Sequence, residues 1–160
     1  MVKNSKNLLI KLIFLISIIA LISALFIEHI LGHQPCNLCV LERIPYLLAI
    51  IIVFLNYKFI LFEKLFILLL TIIFLAGTVL SLYHLGIEQG FIQESLVCDL
   101  KSGSNLLSKE EILKQLQEKD VSCKDVTFKI FGLSLTSYNI LISLLITIGA
   151  GKFYFNYDKN

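Results

Sequence analysis

Four stretches of the chain are apolar over about the 20 residues that a hydrocarbon core requires. Leu8 to Ile27 is interrupted only by Lys11, and Ile44 to Phe62 carries only Lys58, near its end. Of Asp, Glu, Lys, Arg and His, Leu65 to Ile87 contains only His84, and Ile130 to Gly151 contains none. None shows the apolar and polar alternation of a barrel strand, and lipid does not tolerate unpaired backbone groups. All four are therefore predicted to be helices. The fold class is an all-α membrane protein, a four-transmembrane-helix bundle forming a single membrane domain over 1–160. Its spans fall at about 8–27, 44–62, 65–87 and 130–151, with connections at 28–43 and 88–129.

Composition agrees: 57% of the 160 residues are hydrophobic and 16% charged, and the mean hydropathy is +0.84, far above that of a soluble domain. The net charge of +2 is scattered, so nothing suggests a nucleic-acid surface. Leu8 to Ile27 is too long for a secretory signal core, and no small-x-small cleavage site follows it cleanly.

Charge placement orients the bundle. The termini and the turn at 56–64 share one side, which carries Lys3, Lys6, Lys11, Lys58, Lys64, Lys152 and Lys159 against Glu63 and Asp158. By the positive-inside bias that side is cytoplasmic. Cys36, Cys39, Cys98 and Cys123 then all lie in the two extracytoplasmic connections, where an even number of cysteines reads as disulfides, with three connectivities open. Cys98 and Cys123 fall in the longer connection, in stretches free to meet each other or a partner. Between them Ser108-Lys-Glu-Glu111 is a capping-box pattern leading into Ile112, Leu113 and Leu116 on one face. This predicts a short amphipathic helix, either on the membrane surface or packed on its own loop.

Cys36-Asn-Leu-Cys39 is a C-x-x-C, found in redox and metal sites alike. Pro35 places it at the start of the second span, where the helix dipole lowers a thiol's pKa. Arg43, at i+7 from Cys36, shares its face if the helix is continuous, and there it could stabilise a thiolate or a quinone oxygen, or simply pair with Glu28 or Glu42. His84 could bond a quinone oxygen or supply a proton, or be an interfacial residue. His29 and His33, beside the C-x-x-C, invite a zinc reading that leaves the second cysteine pair unexplained.

The stretch His33-Gln-Pro-Cys-Asn-Leu-Cys-Val-Leu-Glu-Arg43, the four spans and the widely spaced Cys98 and Cys123 resemble the bacterial DsbB family of disulfide bond formation proteins. Tyr83-His-Leu-Gly-Ile-Glu88 is similar to the end of that family's third span. Gly132-Leu-Ser-Leu-Thr-Ser-Tyr-Asn139 is similar to the start of its fourth, with Thr136 where proline is common and Tyr138 where tryptophan is common. These two departures are expected to touch packing more than chemistry.

The resemblance implies a relay in the inner membrane. A reduced periplasmic DsbA-type oxidase forms a mixed disulfide at Cys98, with Cys123 as its partner, and electrons pass to Cys36 and Cys39. From Cys39 they pass to a membrane quinone, ubiquinone or menaquinone, which Arg43 and, more loosely, His84 help bind. A quinone also answers an energetic need. Reoxidising a DsbA-type oxidant near roughly −120 mV from a pool near roughly −200 mV is uphill by about 3.7 kcal/mol.

Three rivals remain. A metal-binding or metal-transporting protein could use the C-x-x-C and nearby histidines, yet the spans hold no Asp or Glu to carry an ion. A protein merely braced by its disulfides gives Arg43 no purpose. A vitamin K epoxide reductase-like enzyme places its C-x-x-C late in the bundle, whereas here it follows the first span.

Overall fold

The computed structural model describes residues 2–59, 62–93, 98, 122–124 and 128–157, and for 2–7 the backbone alone. The helix predicted after Ser108 lies outside these residues. Helices α1 (Val2–His29), α2 (Asn37–Leu41), α3 (Ile44–Lys58) and α4 (Glu63–Glu88) are followed by the two-residue strands β1 (Lys129–Ile130) and β2 (Leu133–Ser134) and by α5 (Leu135–Phe155). Among the described residues four segments are long and apolar enough to cross a membrane: Leu8–His29, Asn37–Lys58, Glu63–Glu88 and Leu135–Phe155. The chain is an all-α membrane bundle.

Local chemistry sets where each helix stops. Gly32 (φ 70°) turns the chain out of α1, and Gly90 (φ 77°) does the same after α4, with the Phe91 amide donating to the Gly86 carbonyl at 2.9 Å. The apolar run beginning at Ile130 is not helical from its first residue. Phe131 (φ 51°) and Gly132 (φ 82°) close a hairpin pairing Lys129 with Ser134. The helix proper starts at Leu135, where Ser134 caps it by accepting from the Ser137 amide.

The second span is two helices. Pro45 has no N–H for the Leu41 carbonyl, and its ring crowds that carbonyl, so the helix breaks at Glu42 and Arg43 and restarts with Pro45 in its first turn. The continuous face joining Cys36, Cys39 and Arg43 therefore does not form. The break turns Glu42 toward α4 and α5, and Arg43 toward α1, as their partners show.

The most extensive helix contact is α4 on α5, with α3 against both α1 and α4, while α1 barely touches α5. Tyr46, Ala49, Val53, Leu70, Phe74, Ile146 and Ala150 form the core. Without a hydrophobic drive in lipid, association rests on close packing. Gly77 supplies it, since a Cβ there would sit 3.1 Å from Pro45 Cγ. Exposed leucines and isoleucines such as Leu15, Leu47 and Ile72 cover the outside, as a lipid-facing surface requires.

Candidate redox site

Cys36 caps α2 with its own sulfur, which accepts the Cys39 amide at 3.3 Å. The two Sγ atoms lie 2.7 Å apart and both cysteines are free. The hydrogen bond from the Cys39 thiol, aided by His84, pulls the Cys36 thiol down to about 5 against the opposing cost of burial.

Behind Cys36 stands His84 of α4, almost wholly buried, its Nε2 3.5 Å from the Cys36 sulfur. Its Nδ1 is 2.8 Å from Glu42 Oε1 and 3.2 Å from the Thr136 hydroxyl. Thr136 donates its own hydrogen to Glu88 at 2.6 Å, so both oxygens facing Nδ1 act as acceptors and the ring's Nδ1–H points at them. Nε2 is left for Cys36. Glu42 Oε2 accepts from Asn139 Nδ2 at 3.0 Å, Asn139 also donates to Ser81 at 2.8 Å, and Tyr46 donates to the Asn139 carbonyl. Every member of this buried network has a partner, which is what makes a polar cluster tolerable here.

Arg43 pairs with Glu28 of α1 at 2.5 Å, one of the two partners the sequence suggested. Both line a cavity of about 640 Å³ that lies between α1 and α5 and is open along one side. Its walls are apolar, with Leu12, Ile16, Ile142 and Leu145 among them, and its polar end holds Glu28, Cys39, Glu42 and Arg43. Cys39 borders the cavity, whereas Cys36 and His84 do not.

The second pair is joined: Cys98 and Cys123 form a disulfide, Cα–Cα 6.0 Å across 25 residues of sequence. It packs in one cluster with Cys36, Cys39, Leu38 and Ile87, and Asn37 donates to the Cys98 carbonyl at 3.0 Å. Cys123 is buried and Cys98 half-buried.

Of the residues singled out by sequence, the four cysteines and His84 converge, and Arg43 joins through the cavity. The histidines of the zinc reading do not: His29 bonds the Leu25 carbonyl at 3.1 Å and His33 stacks on Phe128 at 5.2 Å. A ring nitrogen of His84 instead lies with the sulfurs of Cys36 and Cys39 within 4.8 Å. Sequence reasoning gave Glu42 no role beyond pairing Arg43 and kept Thr136 to packing, yet both contact His84. Asn139 and Tyr46 were not singled out.

The fold and site together define a four-span membrane protein with two cysteine pairs gathered at one end of the bundle. The family model described as "Disulfide bond formation protein DsbB" matches residues 6–152. A Rickettsia prowazekii (strain Madrid E) protein described as "Uncharacterized protein RP370" is 37% identical over 146 residues, covering 87% of this chain and 83% of its own. The chain belongs to the DsbB family, and is thereby a membrane disulfide oxidoreductase.

Proposed function

We propose that the protein reoxidises a periplasmic DsbA-type thiol oxidase and delivers the electrons to a membrane quinone. The observation that carries this reading is the apolar cavity with Cys39 and Arg43 at its polar end. Its volume falls in the range of small-molecule sites, and its walls suit a lipid-soluble ring while the polar end suits carbonyl oxygens. Such a quinone, when bound, takes up two electrons and two protons.

The protein's own groups account for the rest. A thiolate of the reduced oxidase attacks Cys98 and releases Cys123, and the oxidase's second thiol then displaces Cys98, leaving the partner oxidised and Cys98 and Cys123 as thiols. Those thiols reduce the Cys36–Cys39 disulfide by exchange, the packing of both pairs in one cluster keeping the path short. Cys36 and Cys39 then close again, giving up two electrons and two protons. Cys39 acts from the cavity wall, His84 receives the proton nearest Cys36, and Arg43 orients the acceptor's oxygen. The whole chain acts as one unit in the inner membrane, with both termini cytoplasmic and the cysteines periplasmic, an orientation supported by the lysine distribution.

The test is quinone reduction by the purified protein, with a chelator present, supplied with reduced DsbA-type partner. Wild type is expected to turn over, Cys39→Ala and Cys98→Ala to be inert, and Arg43→Ala to need more quinone. An inert wild type, or an active Cys39→Ala, overturns the proposal.

A further inference from the structure

Cys36, Cys39 and His84 share a geometry that electron transfer alone does not require. A tetrahedral zinc ion sits about 2.3 Å from sulfur and about 2.0 to 2.1 Å from imidazole nitrogen, so its N···S edge is about 3.5 Å and its S···S edge about 3.7 Å. The distance from His84 Nε2 to Cys36 Sγ is 3.5 Å. The sulfurs, at 2.7 Å, need to part by about 1 Å to match that edge.

The surroundings complete the pattern. A zinc-bound imidazole needs its other nitrogen held by a carboxylate or carbonyl, fixing the tautomer and raising ligand basicity. Glu42 does this at 2.8 Å from Nδ1, which turns the Nε2 lone pair toward the sulfurs. Glu42 is itself held by Asn139. For a fourth donor, Glu88 Oε1 lies 3.8 Å from Nε2. Two thiolates neutralise a divalent cation, so the charge left uncompensated in this buried place is small. Access runs past Cys39, the one ligand that borders the cavity, from its polar end.

We propose that the reduced protein binds one zinc-class soft divalent cation through Cys36, Cys39 and His84, and that the oxidised protein does not. Binding releases the thiol protons and occupies both sulfurs, so the pair can neither close into a disulfide nor exchange with Cys98 and Cys123. The site is thus gated by the redox state of its own ligands, and free zinc arrests turnover by holding the pair reduced. This stands whichever acceptor oxidises the pair, and needs only that the pair be reducible.

The experiment titrates the full-length protein in detergent with Zn²⁺ and, separately, with Co²⁺. It compares protein reduced by a phosphine with oxidised protein, and is repeated in the Cys98→Ser, Cys123→Ser background. The reduced protein is expected to hold one Zn²⁺ per chain in both backgrounds, and the oxidised protein none. Its Co²⁺ form should show near-ultraviolet sulfur-to-cobalt charge transfer together with tetrahedral visible bands. His84→Gln should weaken binding by at least about tenfold, and Glu42→Gln by about 10 to 100-fold. Equal binding by oxidised and reduced protein overturns the site without recourse to any variant that could misfold. So does loss of the ion in the Cys98→Ser, Cys123→Ser background, or affinity unchanged in both His84→Gln and Glu42→Gln. The quinone assay, run in chelator, is untouched by any of these outcomes, so the two proposals fail separately.

Discussion

Replacing Glu42 by glutamine changes almost no volume but breaks the logic of the buried network. Each carboxylate oxygen accepts one N–H, from His84 at 2.8 Å and from Asn139 at 3.0 Å. Glutamine offers one acceptor and one NH₂, so in either orientation its NH₂ confronts a donor. Turning the Asn139 amide to answer it sacrifices the bond from Tyr46, although that hydroxyl has Ser143 3.4 Å away. The change therefore converts one charge-assisted bond, worth about 1.5 to 3 kcal/mol, to a neutral one of about 1 kcal/mol and strains or loses the other. A destabilisation of about 2 kcal/mol follows, which is about a thirtyfold shift in the unfolding equilibrium. Glu42→Ala should cost more, because it orphans both donors and opens a void. Unfolding by sodium dodecyl sulfate in mixed micelles, followed by far-ultraviolet circular dichroism, measures the difference. Leu47→Ala, a change on the outer surface, serves as the control. If Glu42→Gln unfolds with wild type or later, the network does not hold the helices together and the reasoning is wrong.

Three further outcomes are expected. The partly exposed Arg43–Glu28 pair contributes under about 1 kcal/mol to stability, so Glu28→Gln should barely move the unfolding midpoint while Arg43→Met raises the quinone KM in steady-state assays with kcat largely kept. Gly77→Ala, whose new Cβ meets the Pro45 ring at 3.1 Å, should destabilise by about 1 to 3 kcal/mol, whereas Gly149→Ala, with its nearest neighbour at 3.6 Å, should be neutral in the same assay. In reduced protein, the ultraviolet absorbance of the Cys36 thiolate should persist until the pH falls through about 5, and a half-maximum near that of a free thiol would contradict the site. A thiol held below its usual value favours the folded reduced protein fully above the unfolded value of 9.0, and that gain disappears as pH falls through about 5.

The spans were legible because lipid imposes one rule on every residue within them, and runs such as Leu65 to Ile87 obey it. Where that rule meets backbone chemistry, reading the apolar run alone goes astray. Pro45 and the pair Gly132 and Ser134 are plain in the sequence, and they break the second span and delay the fourth, but both lie within or beside apolar stretches. The C-x-x-C was legible as local spacing. The partners of His84 were not: 42 residues separate it from Glu42 and 52 from Thr136, and only the packing of α2, α4 and α5 joins them. Thr136 shows the difficulty best. As a departure from the family's pattern it read as a packing change, yet its hydroxyl bridges His84 and Glu88. The union of Cys98 with Cys123 was likewise one of three arrangements until the fold placed them together.

The most direct test of the account is a single turnover. Protein carrying Cys98→Ser and Cys123→Ser is reduced, freed of reductant and metal, and mixed with excess quinone, and quinol formation is followed alongside alkylation of free thiols. One quinol per chain, appearing as Cys36 and Cys39 together become resistant to alkylation, is the predicted result. Quinol formation with both thiols still free, or closure of the pair without any quinol, contradicts it.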